Sequence, residues 1–169
     1  MKILIQGAGE VGSHLAKMLR GEGNEVTDID DDPARLANLA SGADIFSIEG
    51  NPTSISVLRD AGAGKADLFI AVTDMDELNL LCCTVARRAG NCEAIARVRT
   101  PEYSDDIGYL KEKLDLAMII NPEKESAYVI ARSLSLPAAI AVKSFAGGRC
   151  EMVRFNLPGG NVLAGRKIM

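Results

Sequence analysis

The chain predicts an α/β fold, a doubly wound parallel six-stranded Rossmann sheet in the order 3-2-1-4-5-6 followed by a C-terminal β-hairpin and partial second unit. Three observations carry this. Short apolar runs alternate with amphipathic segments along residues 1–135. The first run, Ile3-Leu4-Ile5-Gln6, passes directly into the glycine turn Gly7-Ala8-Gly9-Glu10-Val11-Gly12 and then into a helical pattern through Leu15, Met18 and Leu19. A second strand ends in Asp30, at about the 20-residue spacing of a mononucleotide-binding unit.

Each element follows from its residues. Gly7 permits a tight turn, Gly9 lets backbone approach a pyrophosphate, and Gly12 lets the helix sit close to the strand; with Ala8, Glu10 and Val11 they form the candidate phosphate seat. Asp30 is placed to accept hydrogen bonds from an adenosine ribose, which favours NAD over a 2′-phosphate. Asp32 reads as the cap of a helix opening at Pro33. A third strand spans 43–48, and Gly50 and Asn51 at its tip either flank an adenine or make an ordinary turn before a short helix through Ile55 and Leu58.

The fourth strand, 67–72, lies beside the first in this order, so Thr73 and Asp74 face the nucleotide and also begin a helix running to Gly90. In the fifth strand, 93–99, Arg97 and Arg99 share a face. Arg97 is a candidate phosphate contact, with a structural salt bridge or exposure at the strand end as the other readings; Arg99, nearer the exit, reads as a solvated or domain-contact residue. A helix over 103–113, a sixth strand over 116–120 and a last helix over 123–134 complete the domain 1–135. Beyond Pro137, two strands over 139–145 and 150–157 joined by Ala146-Gly147-Gly148-Arg149 make a hairpin, so residues 136–169 read as the start of an incomplete unit of a longer subunit.

Composition excludes several classes. With 169 residues, 25% charged and a net charge of −4, the chain holds one good core and no basic field for nucleic acid. No apolar run approaches the roughly 20 residues of a membrane span and no leader is expected, so the reading is cytoplasmic. The four cysteines, Cys82, Cys83, Cys92 and Cys150, form no C-x-x-C pair and accompany a single histidine, so they read as reduced thiols, mostly core, with no metal site. His14 falls off the apolar face of the first helix and reads as exposed.

Taken in order, the glycine turn, Asp30, Val72-Thr73-Asp74, Asn79, Ala96-Arg97-Val98 and Asn121-Pro122-Glu123 resemble the RCK or KTN family of potassium-transport regulators, nearest its TrkA type. The resemblance covers residues 1–135. It implies a peripheral regulatory subunit that binds NAD(H) or adenine nucleotides (ATP/ADP) and pairs its Rossmann domains into a homo-oligomeric ring. Such a subunit docks on a membrane potassium-translocating subunit of the TrkH type at the inner face of the cell membrane. By position it implies Gly7, Gly9 and Gly12 at the phosphates, Asp30 at the ribose, Thr73 on the crevice wall, Arg97 at a phosphate, and Glu123 either at an interface or as a first-turn acid. Relatives often carry an aspartate where this chain has Asn51. Two other functions stand beside it, an NAD-dependent oxidoreductase and a nucleotide-sensing module of another membrane transporter. Against the first, nearly all the chain is consumed by the fold and no substrate domain remains.

Overall fold

The computed structural model describes residues 1–41, 44–101, 103, 106–136, 139–145, 149–161 and 165. The chain divides into two compact units, Met1–Pro122 and Glu123–Met169. In the first, β1 (Lys2–Gln6), α1 (Glu10–Gly21), β2 (Glu25–Asp30), α2 (Pro33–Ala40), β3 (Phe46–Glu49), α3 (Ile55–Asp60), β4 (Leu68–Ala71), α4 (Asp76–Gly90), β5 (Glu93–Arg97), α5 (Ile107–Lys113) and β6 (Met118–Ile120) alternate in chain order. The six strands form one parallel sheet in the order β3-β2-β1-β4-β5-β6.

Side-chain alternation along β1 splits the core between the two faces of this sheet. Ile3 and Ile5 pack with Ala16 of α1 and with Leu36 and Leu39 of α2. Leu4 packs on the other face with Leu58 of α3 and with Cys82, Cys83 and Ala86 of α4. Phe69 and Leu58 are wholly buried, each stabilising by about 1.5–3 kcal/mol relative to exposure. Burial pushes the Cys82 thiol up to about 12 and the Cys83 and Cys92 thiols upward as well, so these three are inert packing groups; Cys150 is exposed.

Several boundaries move for local reasons. β3 starts at Phe46, with Asp44 paired to Arg20 of α1 at 2.5 Å and residue 43 of the expected strand outside the described residues. β5 ends at Arg97, because the Arg99 and Thr100 N–H groups turn to the Asp76 carboxylate at 2.8 and 2.7 Å. The helix expected to begin at Thr73 begins at Asp76, after an extended Met75. The helix expected over 103–113 is seen as α5 from Ile107, with 102 and 104–105 outside the described residues.

The second unit holds α6 (Pro122–Ser135) and an antiparallel pair, β7 (Ala139–Phe145) with β8 (Cys150–Phe155). Arg132 of α6 pairs with Glu151 of β8 at 2.6 Å, so the last helix groups with the hairpin. The hairpin turn at 146–148 lies outside the described residues. Among the described residues no helix is long and apolar enough to cross a membrane.

Candidate functional site: a crevice at the carboxyl edge of the sheet

The carboxyl ends of β1, β2 and β4 are tied at one point. Gly7 N–H donates to Ile29 O at 3.0 Å and Val72 N–H to Gln6 O at 2.9 Å. Gly7 takes a left-handed φ of +106°, the conformation that makes the turn possible without a Cβ penalty. Gly12 answers a different demand: a Cβ there would stand 1.7 Å from Gly7 O, so any side chain would drive α1 off β1. A Cβ at Gly9 would meet no protein atom within 4 Å, which leaves that backbone open to a close approach. Gly9 is also the N-cap of α1 and supplies no side-chain acceptor, so the first-turn N–H groups lack a side-chain cap and favour an anion.

Among the described residues, two cavities open on this edge. The larger, about 390 Å³, is lined by Gly7, Gly9, Glu10, Val11, Arg35, Val72, Thr73, Asp74 and Arg97. The second, about 240 Å³, is bordered by Asp30 and Asp31 and walled by Ile29, Pro52, Met75 and Leu78; Gly7, Arg35, Thr73 and Asp74 line both. Adjacent polar and part-apolar spaces of this kind suit the phosphates and the nucleoside of one ligand.

The expected residues are distributed unevenly between them. Thr73 and Asp74 border both cavities, and Arg97, 8% exposed, lines the larger, with its Nη1 3.8 Å from Asp74 Oδ1. Asp30 is 5% exposed and already accepts two hydrogen bonds, from Ala8 N–H at 2.7 Å to Oδ2 and from Asp32 N–H at 2.9 Å to Oδ1. It therefore staples the glycine turn to β2 while leaving lone pairs for a hydroxyl. Ala8 and Gly12 are buried and line neither cavity. Asn51 lines neither as well; its side chain closes an Asx turn, accepting from Thr53 N–H at 2.9 Å and Thr53 Oγ1 at 2.7 Å, and Pro52 takes the wall position. Asp32 caps α2 through Ala34 N–H at 2.8 Å, as expected. Arg99 is no free rim cation: its guanidinium donates to Asp74 O, and its Nε stands 3.8 Å from Asp76 Oδ1.

Three residues went unassigned by sequence reasoning. Arg35, half-exposed, reaches back to Asp32 at 3.4 Å and Asp30 at 3.9 Å and borders both cavities; the Asp32-x-x-Arg35 spacing carried that signal. Asp76, 5% exposed, accepts from Arg99 N–H, Thr100 N–H and Thr100 Oγ1 at 2.7–2.8 Å. Burial alone would raise its carboxyl, but the Thr100 and Arg99 donors outweigh it and hold the group below the ordinary carboxylate value. Asp28 has no exposed surface, and neither oxygen finds a hydrogen bond of ordinary geometry among the described residues. Desolvation and then the neighbouring Asp30 charge push it up to about 7, the Ile29 N–H offsetting only part.

The TrkA-N domain model matches residues 3–122, nearly coincident with the first compact unit. The chain is 39% identical over 168 residues to a protein named Trk system potassium uptake protein TrkA homolog from Archaeoglobus fulgidus, covering 99% of this chain and 38% of the relative. It is 38% identical to the Trk system potassium uptake protein TrkA of Haemophilus influenzae, covering 98% and 37%. It thus spans under two fifths of these relatives' length. Among solved structures, the TrkA-N domain of the inner membrane protein ybaL from Escherichia coli aligns with TM-score 0.69 at 22% identity over 79% of this chain and 96% of that one. The GsuK channel bound to NAD aligns with TM-score 0.65 at 21% identity over 86% and 25%. These two likenesses concern the fold, whereas the family match and the closer relatives concern descent: the chain belongs to the TrkA-N domain family.

Proposed function

We propose that residues 1–135 bind an adenine nucleotide, NAD(H) foremost and ATP or ADP in the same seat. In this reading the chain is the sensing part of a cytoplasmic regulatory subunit, with 136–169 opening its C-terminal unit. One observation carries it: the glycine turn, Asp30, Thr73 and Arg97 border two adjoining cavities sized for phosphates and a nucleoside. Gly7 and Gly9 with the α1 N-terminus would hold the phosphates, together with Arg97. Asp30 would take the ribose hydroxyls, and Pro52, Met75 and Leu78 would flank the base.

The relatives' names point to potassium uptake, so the partner proposed is a membrane potassium-translocating subunit of the TrkH type, met at the inner face of the membrane by a homo-oligomer of paired Rossmann domains. Ligand binding would gate that pore through conformational change. Gating of this kind requires that the nucleotide bind two conformations unequally, since equal affinity shifts nothing. The role proposed is binding without turnover.

A thermal-shift panel of NAD, NADH, NADP, ADP and ATP tests this. At a concentration 100 times Kd a ligand stabilises by about 2.7 kcal/mol, or roughly 5–10 °C in Tm for a chain this size. NAD or NADH is expected to produce such a shift and NADP a smaller one. A flat panel contradicts the reading, and steady turnover of a hydride acceptor contradicts the regulatory role.

A further inference from the structure

The β4–β5 ladder stops at the pair Ala71 and Ala96, where the strands part to open the crevice. Beyond that rung, backbone groups at Thr73 and Arg97 need partners other than each other. The Asn79 side chain, wholly buried in α4, takes the place of the missing rung. Its Oδ1 accepts the Thr73 N–H at 3.0 Å and the Thr73 hydroxyl at 2.7 Å. Its Nδ2 donates to Thr73 O at 3.1 Å and to Arg97 O at 2.9 Å. A carboxamide has the donors and acceptor of a peptide group, so it extends the sheet's bonding into a region where the backbone has separated.

We propose that Asn79 is a positioning residue for the nucleotide's phosphates: by bonding both strand exits it sets the spacing of Thr73 and Arg97 across the larger cavity. The assignment rests on the nucleotide reading of the crevice. Asn79 lines neither cavity, so it acts through the two residues it holds. Arg97 lines only the larger cavity, whereas Thr73 borders both, which separates the consequences of the two arms. Losing the Arg97 arm disturbs the phosphate half and spares the nucleoside half, which Asp30, Pro52 and Leu78 border.

The substitution Asn79→Asp tests this, because a carboxylate keeps the acceptor for both Thr73 groups and removes the donors to Arg97 O and Thr73 O. Calorimetric titrations of the 169-residue chain with adenosine, AMP and ADP should show ADP weakened about tenfold and adenosine less than twofold. Equal losses across the series, or none, overturn the proposal, as does a grading that vanishes in the uncharged Asn79→Leu, because general loosening would not grade with phosphate number and the repulsion of a new carboxylate is absent from the leucine variant. Should the variant not fold, the Asn79 side-chain NH₂ resonances of the wild-type chain give the same answer. They should shift on adding ADP and stay fixed on adding adenosine, and resonances unmoved by ADP overturn it. Wild-type chain that binds none of the three sinks the nucleotide reading itself, whereas binding with unaltered Asn79→Asp sinks only the positioning role.

Discussion

Asp28 in β2 and Asp76 at the start of α4 are both withdrawn from water, on different sides of the β1 turn, and the protein treats them in opposite ways. Asp76 receives three hydrogen bonds from Arg99 and Thr100, sits in the first turn of a helix, and is held below the ordinary carboxylate range. Asp28 receives none of ordinary geometry, lies beside a second acid, and is pushed up to about 7. Burial alone does not determine what a carboxylate does to stability; the donors supplied with it do. On the β4 and β5 side, side chains replace lost backbone pairing. On the β1 and β2 side, the close fit of Gly12 against Gly7 O acts together with the Asp30 staple on Ala8 N–H.

Breaking Asp76, whose three donors converge on Oδ2 while its buried Oδ1 has no hydrogen-bond partner among the described residues, should have the larger effect. Asp76→Ala leaves the Arg99 and Thr100 N–H groups without their acceptor, at about 3 kcal/mol, or roughly 6–12 °C in Tm. Because the folded-state pKa of Asp76 is depressed, its contribution is present above the unfolded value of about 3.9 and is lost as pH falls through the folded value. Urea melts of wild type and Asp76→Ala should therefore differ most near neutrality and converge in strong acid. A constant gap down to the most acid pH would contradict the assignment.

Asp28 should show the opposite slope. Its folded-state value lies near 7, above the unfolded one, so between about pH 4 and 7 the native state holds a proton that the unfolded chain has lost. Stability from this group is complete below about pH 4 and falls as pH rises to 7. Asp28→Asn, which resembles the protonated acid, should flatten that slope and be more stable than wild type at pH 8. A variant with the wild-type slope would show that Asp28 ionises without penalty.

The comparison also explains what the residues alone disclosed. The glycine turn and the Asp32 cap follow from local turn chemistry, and the strand order from the doubly wound topology that short apolar runs around such a turn imply. The bonding of Asn79 and the donors to Asp76 depend on where β4, β5 and α4 meet in space, so their roles as connectors had no local signature, whereas Arg35 had one in its i,i+3 spacing from Asp32. Asn51 was left between an adenine contact and an ordinary turn because a polar residue at a strand tip has the same sequence appearance in both, and the structure shows its Asx turn. Arg99 keeps a side chain 36% exposed while also bonding Asp74 O, a contact between segments that no one-dimensional pattern records.

The central claim is that one adenine nucleotide lies across both cavities, with Asp30 at the ribose. Calorimetric titration of NADH into the wild-type chain and Asp30→Ala tests it most directly, provided both show cooperative melts. The account predicts saturable one-to-one binding by the wild type and about a tenfold weaker Kd, roughly 1.4 kcal/mol, in the variant. Identical affinity in the two chains would contradict it.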